Sequence, residues 1–166
     1  MSDMVHDIVQ DCEHYVRNVY CPRNVDESGI LKDTFISLRT FNNNVKEDGV
    51  SGQILERAGE EEIFANGEQH IRKRKEKPTE RYVGYACAEV GNIRSLAEDE
   101  DVIDVVLTES EIVAHAEIQF YIDGELLQGV NRNSRYLKYC DELKELLAKT
   151  IVPCRKLSLA SVCGKI

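Results

Sequence analysis

The stretch AEIQFYIDG, residues 116–124, contains the clearest structural signal in this chain of 166 residues. Apolar and polar side chains alternate from 116 to 122, which is typical of a β-strand with one buried face and one polar face. Asp-Gly favours a two-residue hairpin turn, because both central positions of such a turn need a positive φ angle. The sequence therefore predicts a β-hairpin in which strand 116–122 pairs with a return strand over 125–130.

A helix is predicted after the hairpin, over residues 134–149. Asn133 or Ser134 provides an N-cap, and Pro153 prevents the helix from continuing. The apolar stripe of this helix is expected to consist of residues at helical spacing: Leu137, Cys140, Leu143, Leu147 and Ile151.

Further strands are predicted before the hairpin. Residues 82–88 and 102–107 are rich in β-branched and aromatic side chains, and a short helix over 90–96 follows the first of them. Residues 34–39 predict another strand, and a short helix is expected around 53–57. The resulting fold class is α+β.

The first twenty residues predict a helical N-terminal extension, with an amphipathic helix over 3–19. Its apolar side chains recur in steps of three and four residues. We therefore expect a single α+β domain, in which the N- and C-terminal helices flank a central, mostly antiparallel sheet. The apolar face of the N-terminal helix is the predicted surface for a protein partner or for self-association, through Val5, Ile8, Val9, Cys12 and Val16.

Residues 59–80 predict a flexible, charged loop. Gly59, Gly67 and Pro78 interrupt this segment, and few apolar side chains are present to order it. Its basic run is a candidate contact for phosphate or an acidic partner, formed by Arg72, Lys73, Arg74 and Lys75.

Composition narrows the classes of function. The formal charge is 21 − 30 = −9, which argues against broad affinity for nucleic acid outside the basic run or for anionic membranes. The first ten residues lack the positive start and the apolar run of a signal peptide, so we expect a cytoplasmic location. In that compartment the six cysteines are expected to be mostly reduced.

Three short motifs resemble a group of small, uncharacterised bacterial proteins. They are Gly84-Tyr85-Ala86, Val90-Gly91-x-Ile93-Arg94 and Ala114-His115-Ala116-Glu117-Ile118. The resemblance covers roughly a hundred residues and implies a bacterial origin, but it implies no activity.

One motif suggests catalysis. His115-Ala116-Glu117 matches the His-x-Glu half of the signature of zinc-dependent deaminases, in which the His binds zinc and the Glu transfers protons. The second half requires Pro-Cys-x-x-Cys, and here Pro153-Cys154 is followed by Leu157 at the second cysteine position. In a metal site, Cys154 would be the thiolate ligand, with Cys140 or Cys163 completing the tetrahedron. The alternative is a half-polar sheet face on which His115 and Glu117 are solvated or hydrogen-bonded to each other.

No glycine-rich phosphate loop and no Gly-x-Ser-x-Gly elbow occurs in the sequence. Arg23, Ser37 and Glu117 would match the Arg-Ser-Glu set of NAD-using ADP-ribosyl transferases only if three strands brought them together. The leading hypothesis is therefore a non-enzymatic accessory protein without a cofactor, acting with a partner chain and plausibly encoded in a multi-protein or defence-type operon. The rival hypothesis is a metal-dependent, deaminase-like hydrolase that uses His115, Glu117 and zinc.

Overall fold

The computed structural model describes residues 8–32, 35–36, 50–73, 80–127 and 133–154. Within these ranges the chain forms a single-domain α+β fold, with a seven-stranded antiparallel sheet and four helices. The strands are β1 (His14–Cys21), β2 (Val50–Ile54), β3 (Arg81–Glu89), β4 (Val102–Leu107), β5 (His115–Ile122), β6 (Glu125–Leu126) and β7 (Ile151–Pro153). The helices are α1 (Leu55–Ala58), α2 (Glu60–Lys73), α3 (Val90–Arg94) and α4 (Ser134–Ala148).

The sheet has the order β4-β5-β2-β1-β3-β7, and β6 pairs with the far end of β5. Tyr15 and Val16 are consecutive residues of the central strand β1, and they belong to different apolar clusters. Since successive side chains of a strand point to opposite faces, these clusters lie on the two sides of the sheet. α4 covers one face and α2 covers the other.

The predicted β-hairpin and C-terminal helix are confirmed. β5 shows the expected alternation, with Ala116, Ile118, Phe120 and Ile122 buried, and its turn at Asp123-Gly124 has positive φ angles at both residues. The return strand β6 is short, and residues 128–130 lie outside the described ranges. The Asn133 side chain caps α4 by accepting hydrogen bonds from the backbone N–H groups of Arg135 and Tyr136.

The predicted stripe of α4 is partly wrong. Leu143 and Leu147 are buried as expected, but Leu137 is 44% exposed, and the face toward the sheet is completed by Tyr136 and Tyr139. The helix ends at Ala148, and Pro153 lies in β7, which pairs with β3. Tyrosine hydroxyls explain the difference, because they reach polar partners at the rim of a core: Tyr139 donates to Asp101 at 2.7 Å.

The prediction of a helix over 3–19 is wrong in its described part. Residues 14–21 form β1, and residues 8–13 are an irregular segment that leads into it. β1 is covered on both faces, so it contains apolar residues at odd and at even positions, and this pattern imitates helical spacing. Residues 1–7 lie outside the described ranges.

The prediction of a flexible loop over 59–80 is also wrong in its described part, because residues 60–73 form α2. Its first turn carries Glu60, Glu61 and Glu62, and its last turn carries basic residues, which suits the helix dipole. Gly67 does not break the helix. It is required there, since a Cβ atom at this position would overlap the ring of Tyr82.

The remaining predicted elements have mixed outcomes. The strands over 82–88 and 102–107 and the helix that begins at Val90 are confirmed. The helix expected around 53–57 begins only at Leu55, because residues 50–54 form β2. Phe35 and Ile36 are buried in a turn, and the other residues of the predicted strand 34–39 lie outside the described ranges. No helix in the described part of the chain is both long enough and apolar enough to span a membrane.

Candidate functional site

The sheet opens between its two central strands. β1 and β2 pair at only two positions, Tyr15 with Ile54 and Val16 with Gln53, whereas β1 pairs with β3 along its whole length. Beyond Val16 the two strands diverge, and the side chain of Arg17 bridges the opening. Gly52 lies opposite it on β2, where a Cβ atom would overlap the carbonyl oxygen of Val16.

A polar cavity of about 320 Å³ lies at this opening, under α2. That volume is at the lower end of the range for small-molecule sites. None of its lining residues in the described ranges is a carboxylate. Its polar side chains come from β1, β2, β5, α2 and the loop after β1, and the most prominent are Arg17, Arg23, Gln53, Asn66, His70 and His115.

The two arginines of the cavity have different partners. Arg23 forms a two-pronged ion pair with the buried Glu80, with Nε–Oε1 at 2.6 Å and Nη2–Oε2 at 3.0 Å. Arg17 donates to backbone carbonyls instead, from Nε to Phe35 at 3.0 Å and from Nη1 to Ser51. No carboxylate in the described part of the chain forms an ion pair with Arg17. A guanidinium stays charged at any physiological pH, so Arg17 brings to the cavity wall a positive charge that no described carboxylate pairs with, and its guanidinium also packs over the Phe35 ring at 5.5 Å.

His115 is half-buried at the start of β5. Its Nδ1 forms a hydrogen bond with the hydroxyl of Thr108, which lies just after β4. Within the described ranges Nε2 has no hydrogen-bond partner. Thr108 therefore fixes the orientation of the ring and leaves one nitrogen available to a ligand.

His70 extends from the last turn of α2 at the rim of the cavity. Its ring packs against Tyr20, with 5.2 Å between the ring centroids. Neither of its ring nitrogens is hydrogen-bonded to another described residue. The cavity thus contains a second imidazole that a ligand could contact.

Desolvation and the positive charge of Arg17 both lower the pKa values of His115 and His70. Burial lowers the pKa of His115 below its usual value of about 6.5, and Arg17 lowers it further. Partial desolvation of its ring also lowers the pKa of His70, although the residue is exposed at the rim; Glu80 opposes this shift, and Lys73 and Arg17 add to it. Both imidazoles are therefore mainly neutral at pH 7.

Amide side chains hold the cavity between α2 and the sheet. Asn66 of α2 donates to the Gln53 side chain at 3.1 Å, and Gln53 in turn donates to the carbonyl oxygen of Val113 at 2.9 Å. Gln53 is only 3% exposed, and both ends of its amide are satisfied. This chain of hydrogen bonds orients the two elements that carry His70 and His115.

A second cavity, of about 470 Å³, adjoins the first between α2 and the loop after β4. The two cavities share Asn66, His70 and Ile112, and Lys73 lines only the second one. His70 therefore lies at the boundary between them. Together the cavities form a groove with room for a ligand that has two substituents.

The topology contradicts the zinc site suggested by His115 and Cys154. Three strands, β2, β1 and β3, separate β5 from β7, and at about 4.8 Å per strand the two residues are about 19 Å apart. Ligands of one zinc ion lie about 2.0–2.3 Å from the metal, so these two side chains cannot share it. The described residues contain no group of three or more His, Cys, Asp or Glu side chains placed for a metal. Cys163 lies outside the described ranges.

Glu117 shares a sheet face with His115, as predicted, but it does not line either cavity. It lies opposite Ser51 on β2 and Val106 on β4. Of the Arg-Ser-Glu set, Arg23 is paired with Glu80, and Ser37 is outside the described part of the chain.

The predicted partner surface is not one helix face. Ile8 and Cys12 are exposed in the irregular segment, but Val9 and Val16 are buried in the two opposite cores. Val5 lies outside the described ranges. In the basic run, Arg72 and Lys73 end α2, and Arg74 and Lys75 are not described.

Cys12, Cys87, Cys140 and Cys154 have free thiols. Burial raises the pKa of Cys87 and of Cys140 to about 11, so both are protonated at neutral pH. Cys87 is buried and Cys140 half-buried, so both act as small packing side chains rather than nucleophiles.

Comparison with known proteins adds no identification: no family model matches the chain, and no curated protein or solved structure is significantly similar to it. The assignment of a site therefore depends on the geometry of the cavity.

Of the cavity residues, the sequence pattern selected His115 and, as part of a different set, Arg23, and it missed three others: His70, Gln53 and Asn66. Arg17 lies within the segment for which a helix was predicted, and its role in a strand was missed with it. The sequence did contain one signal for this site, the polar pair Arg17-Asn18 inside the otherwise apolar run YVRNVY. Polar side chains are rarely buried without a partner, so such a pair in a buried strand indicates a polar site.

Proposed function

We propose that this protein binds a small, phosphate-bearing ligand in the cavity between α2 and the open part of the sheet. The observation that carries the proposal is the guanidinium of Arg17, which is half-buried, donates to two backbone carbonyls, packs over the Phe35 ring and forms no ion pair with a described carboxylate. None of the described residues that line the first cavity is a carboxylate, whereas Glu62 and Glu111 line the adjoining one. Phosphate oxygens pair well with a guanidinium, and partial burial strengthens that interaction.

The neutral groups of the cavity suit the same ligand. The ring of His70 donates a hydrogen bond to a phosphate oxygen, and binding of an anion favours its protonated form. Nε2 of His115 accepts a hydrogen bond from a hydroxyl of the ligand when Nδ1 donates to Thr108. The hydrogen bond between the amides of Gln53 and Asn66 preorganises the site, which lowers the entropy cost of binding a ligand.

This proposal differs from both sequence hypotheses. The hypothesis of a metal-dependent hydrolase lacks its thiolate ligand, because Cys154 lies four strand spacings away from His115 in the sheet. An accessory role beside a partner chain, in a bacterial operon, stays a prediction, but its expected N-terminal helix is replaced by β1.

Calorimetric titration with inorganic phosphate and with a nucleoside monophosphate tests the proposal. We expect binding by the wild-type protein and a loss of at least about 10-fold in affinity for Arg17→Met, since a charge-assisted hydrogen bond contributes about 1.5–3 kcal/mol. Arg17→Lys keeps the charge without the planar fork and should lose less.

Arg72→Met is the matched control. It removes the same charge from α2, but Arg72 is 78% exposed and does not line the cavity. Circular dichroism establishes that each variant is folded. If Arg72→Met abolishes phosphate binding and Arg17→Met does not, the ligand binds the basic run 72–75 and the cavity proposal is wrong.

A further inference from the structure

We infer that His115 and His70 act as general base and general acid in cleaving a phosphodiester that carries a neighbouring hydroxyl group, as in a short RNA. The inference rests on the proposed phosphate site and adds a reaction to it. It stands on the placement of two imidazoles and one guanidinium around a single cavity.

The two imidazoles approach the cavity from different elements. His115 extends from β5, and His70 extends from α2, with Arg17 on β1 completing the set. Each imidazole has at least one ring nitrogen that is not bound to another described residue. A base, an acid and a cation are the groups that phosphodiester transfer requires when no metal participates.

Thr108 is the positioning residue for the base. When its hydroxyl accepts the Nδ1 proton of His115, the lone pair of Nε2 faces the cavity. Because burial and Arg17 lower the pKa of this ring, it is neutral at pH 7 and able to accept a proton.

The adjoining cavity gives His70 the role of the acid. A phosphodiester has two substituents, and the two cavities provide a place for each one. His115 lines only the first cavity, so the nucleoside with the attacking hydroxyl lies there. His70 lies at the boundary, beside the position where the leaving oxygen passes toward the second cavity.

The reaction balances without a co-reactant. Nε2 of His115 removes the proton of the ribose 2′-hydroxyl, and the oxygen forms a bond to phosphorus. The bond from phosphorus to the 5′-oxygen breaks, and that oxygen takes a proton from His70, whose protonated form is favoured by the bound phosphate and by Glu80. Arg17 stabilises the charge on the non-bridging oxygens. The products are a 2′,3′-cyclic phosphate and a free 5′-hydroxyl group.

The substrate is expected to be short. The net charge of −9 opposes a long polyanion, and the two cavities together hold about one residue on each side of the phosphate. A ribodinucleoside monophosphate, incubated with the protein and EDTA, is therefore the first probe. The cyclic phosphate product is followed by chromatography.

We expect the wild-type protein to cleave the ribodinucleotide and to leave its 2′-deoxy analogue intact. His115→Gln and His70→Gln should each lower the rate by about 100-fold or more, because general acid–base catalysis contributes about 10²–10⁴. His14→Gln is the matched control, since His14 binds Glu56 outside both cavities, and it should leave the rate unchanged.

A p-nitrophenyl ester of uridine 3′-phosphate distinguishes the acid from the base, because its leaving group needs no proton. On this substrate His70→Gln should recover most of its activity, and His115→Gln should not. Thr108→Val should slow both substrates, and Thr108→Ser should restore the rate.

Four results would overturn the inference. If the wild-type protein binds phosphate and the dinucleotide but does not cleave, the inference is wrong and the proposed function stands. Cleavage that persists in both histidine variants, or that includes the deoxy analogue, assigns the activity to another source. If phosphate does not bind at all, the proposed function fails as well.

Discussion

The two faces of the sheet differ in what covers them. Under α4 the contact is apolar, and Tyr136, Tyr139, Leu143 and Leu147 pack on the inward side chains of the sheet. Under α2 there is an aromatic cluster around Tyr82, and beside it lies the polar cavity, at the point where β1 and β2 diverge. The same sheet thus combines a face that supplies stability with a face that retains charged and hydrogen-bonding groups.

The difference between the two faces follows from how far each pair of neighbouring strands stays hydrogen-bonded. β1 and β3 pair over their full length, so their side chains form a continuous surface on both faces. β1 and β2 pair at only two positions, so Arg17 donates there to backbone carbonyls and packs over the Phe35 ring. If this comparison is correct, substitutions under α4 reduce stability and leave the ligand site intact.

Leu143→Ala on the α4 face should have the largest effect. Leu143 is fully buried, and large-to-small substitutions in a core cost about 2–5 kcal/mol of unfolding free energy. Urea denaturation measures this loss. Phosphate affinity of the folded variant should be unchanged.

Leu137→Ala is the control on the same helix. Leu137 is 44% exposed, so its loss should change the unfolding free energy by about 0.5 kcal/mol or less. Equal costs for the two leucines would contradict the orientation of α4.

Gly67→Ala on the α2 face should have an intermediate effect and should reach the site as well. The new methyl group would overlap the ring of Tyr82, and such overpacking lowers the unfolding free energy by about 1–3 kcal/mol. The higher helix propensity of Ala offsets up to about 1 kcal/mol of this loss. Because α2 carries Asn66 and His70, phosphate affinity should fall together with stability.

A double-mutant cycle with Tyr82→Leu provides the control for Gly67→Ala. The cost of the methyl group should become smaller once the aromatic ring is removed, since the two positions are in contact. An undiminished cost would show that the clash is not the cause.

Apart from the Leu137→Ala control, Asn133→Ala should have the smallest effect, about 1 kcal/mol, because it removes the N-cap of α4. Thermal denaturation detects the loss, and Asn133→Asp should retain most of the stability. The cap lies on α4, so phosphate affinity should not change. A loss of affinity in Asn133→Ala would mean that the two faces are coupled.

Local pattern predicted the hairpin and the C-terminal helix because both depend on neighbours in the chain. The turn at Asp123-Gly124 needs only residues that tolerate a positive φ angle, and the alternation of β5 reports one buried face. The cap at Asn133 is equally local. For these elements the sequence alone was sufficient, apart from the exact face of α4.

Long-range contacts decided the rest. β1 was taken for a helix because both of its faces are covered, and only its pairing with β3 and β2 reveals this. Gly67 was taken for a helix breaker, although the ring of Tyr82, fifteen positions further along the chain, requires a glycine there. The cavity likewise combines Arg17, His70 and His115 from three distant segments, so no local spacing could have indicated it. Sequence determined the elements whose causes lie within a few residues, and tertiary structure determined the site, because its charge and its imidazoles come together only where two strands diverge.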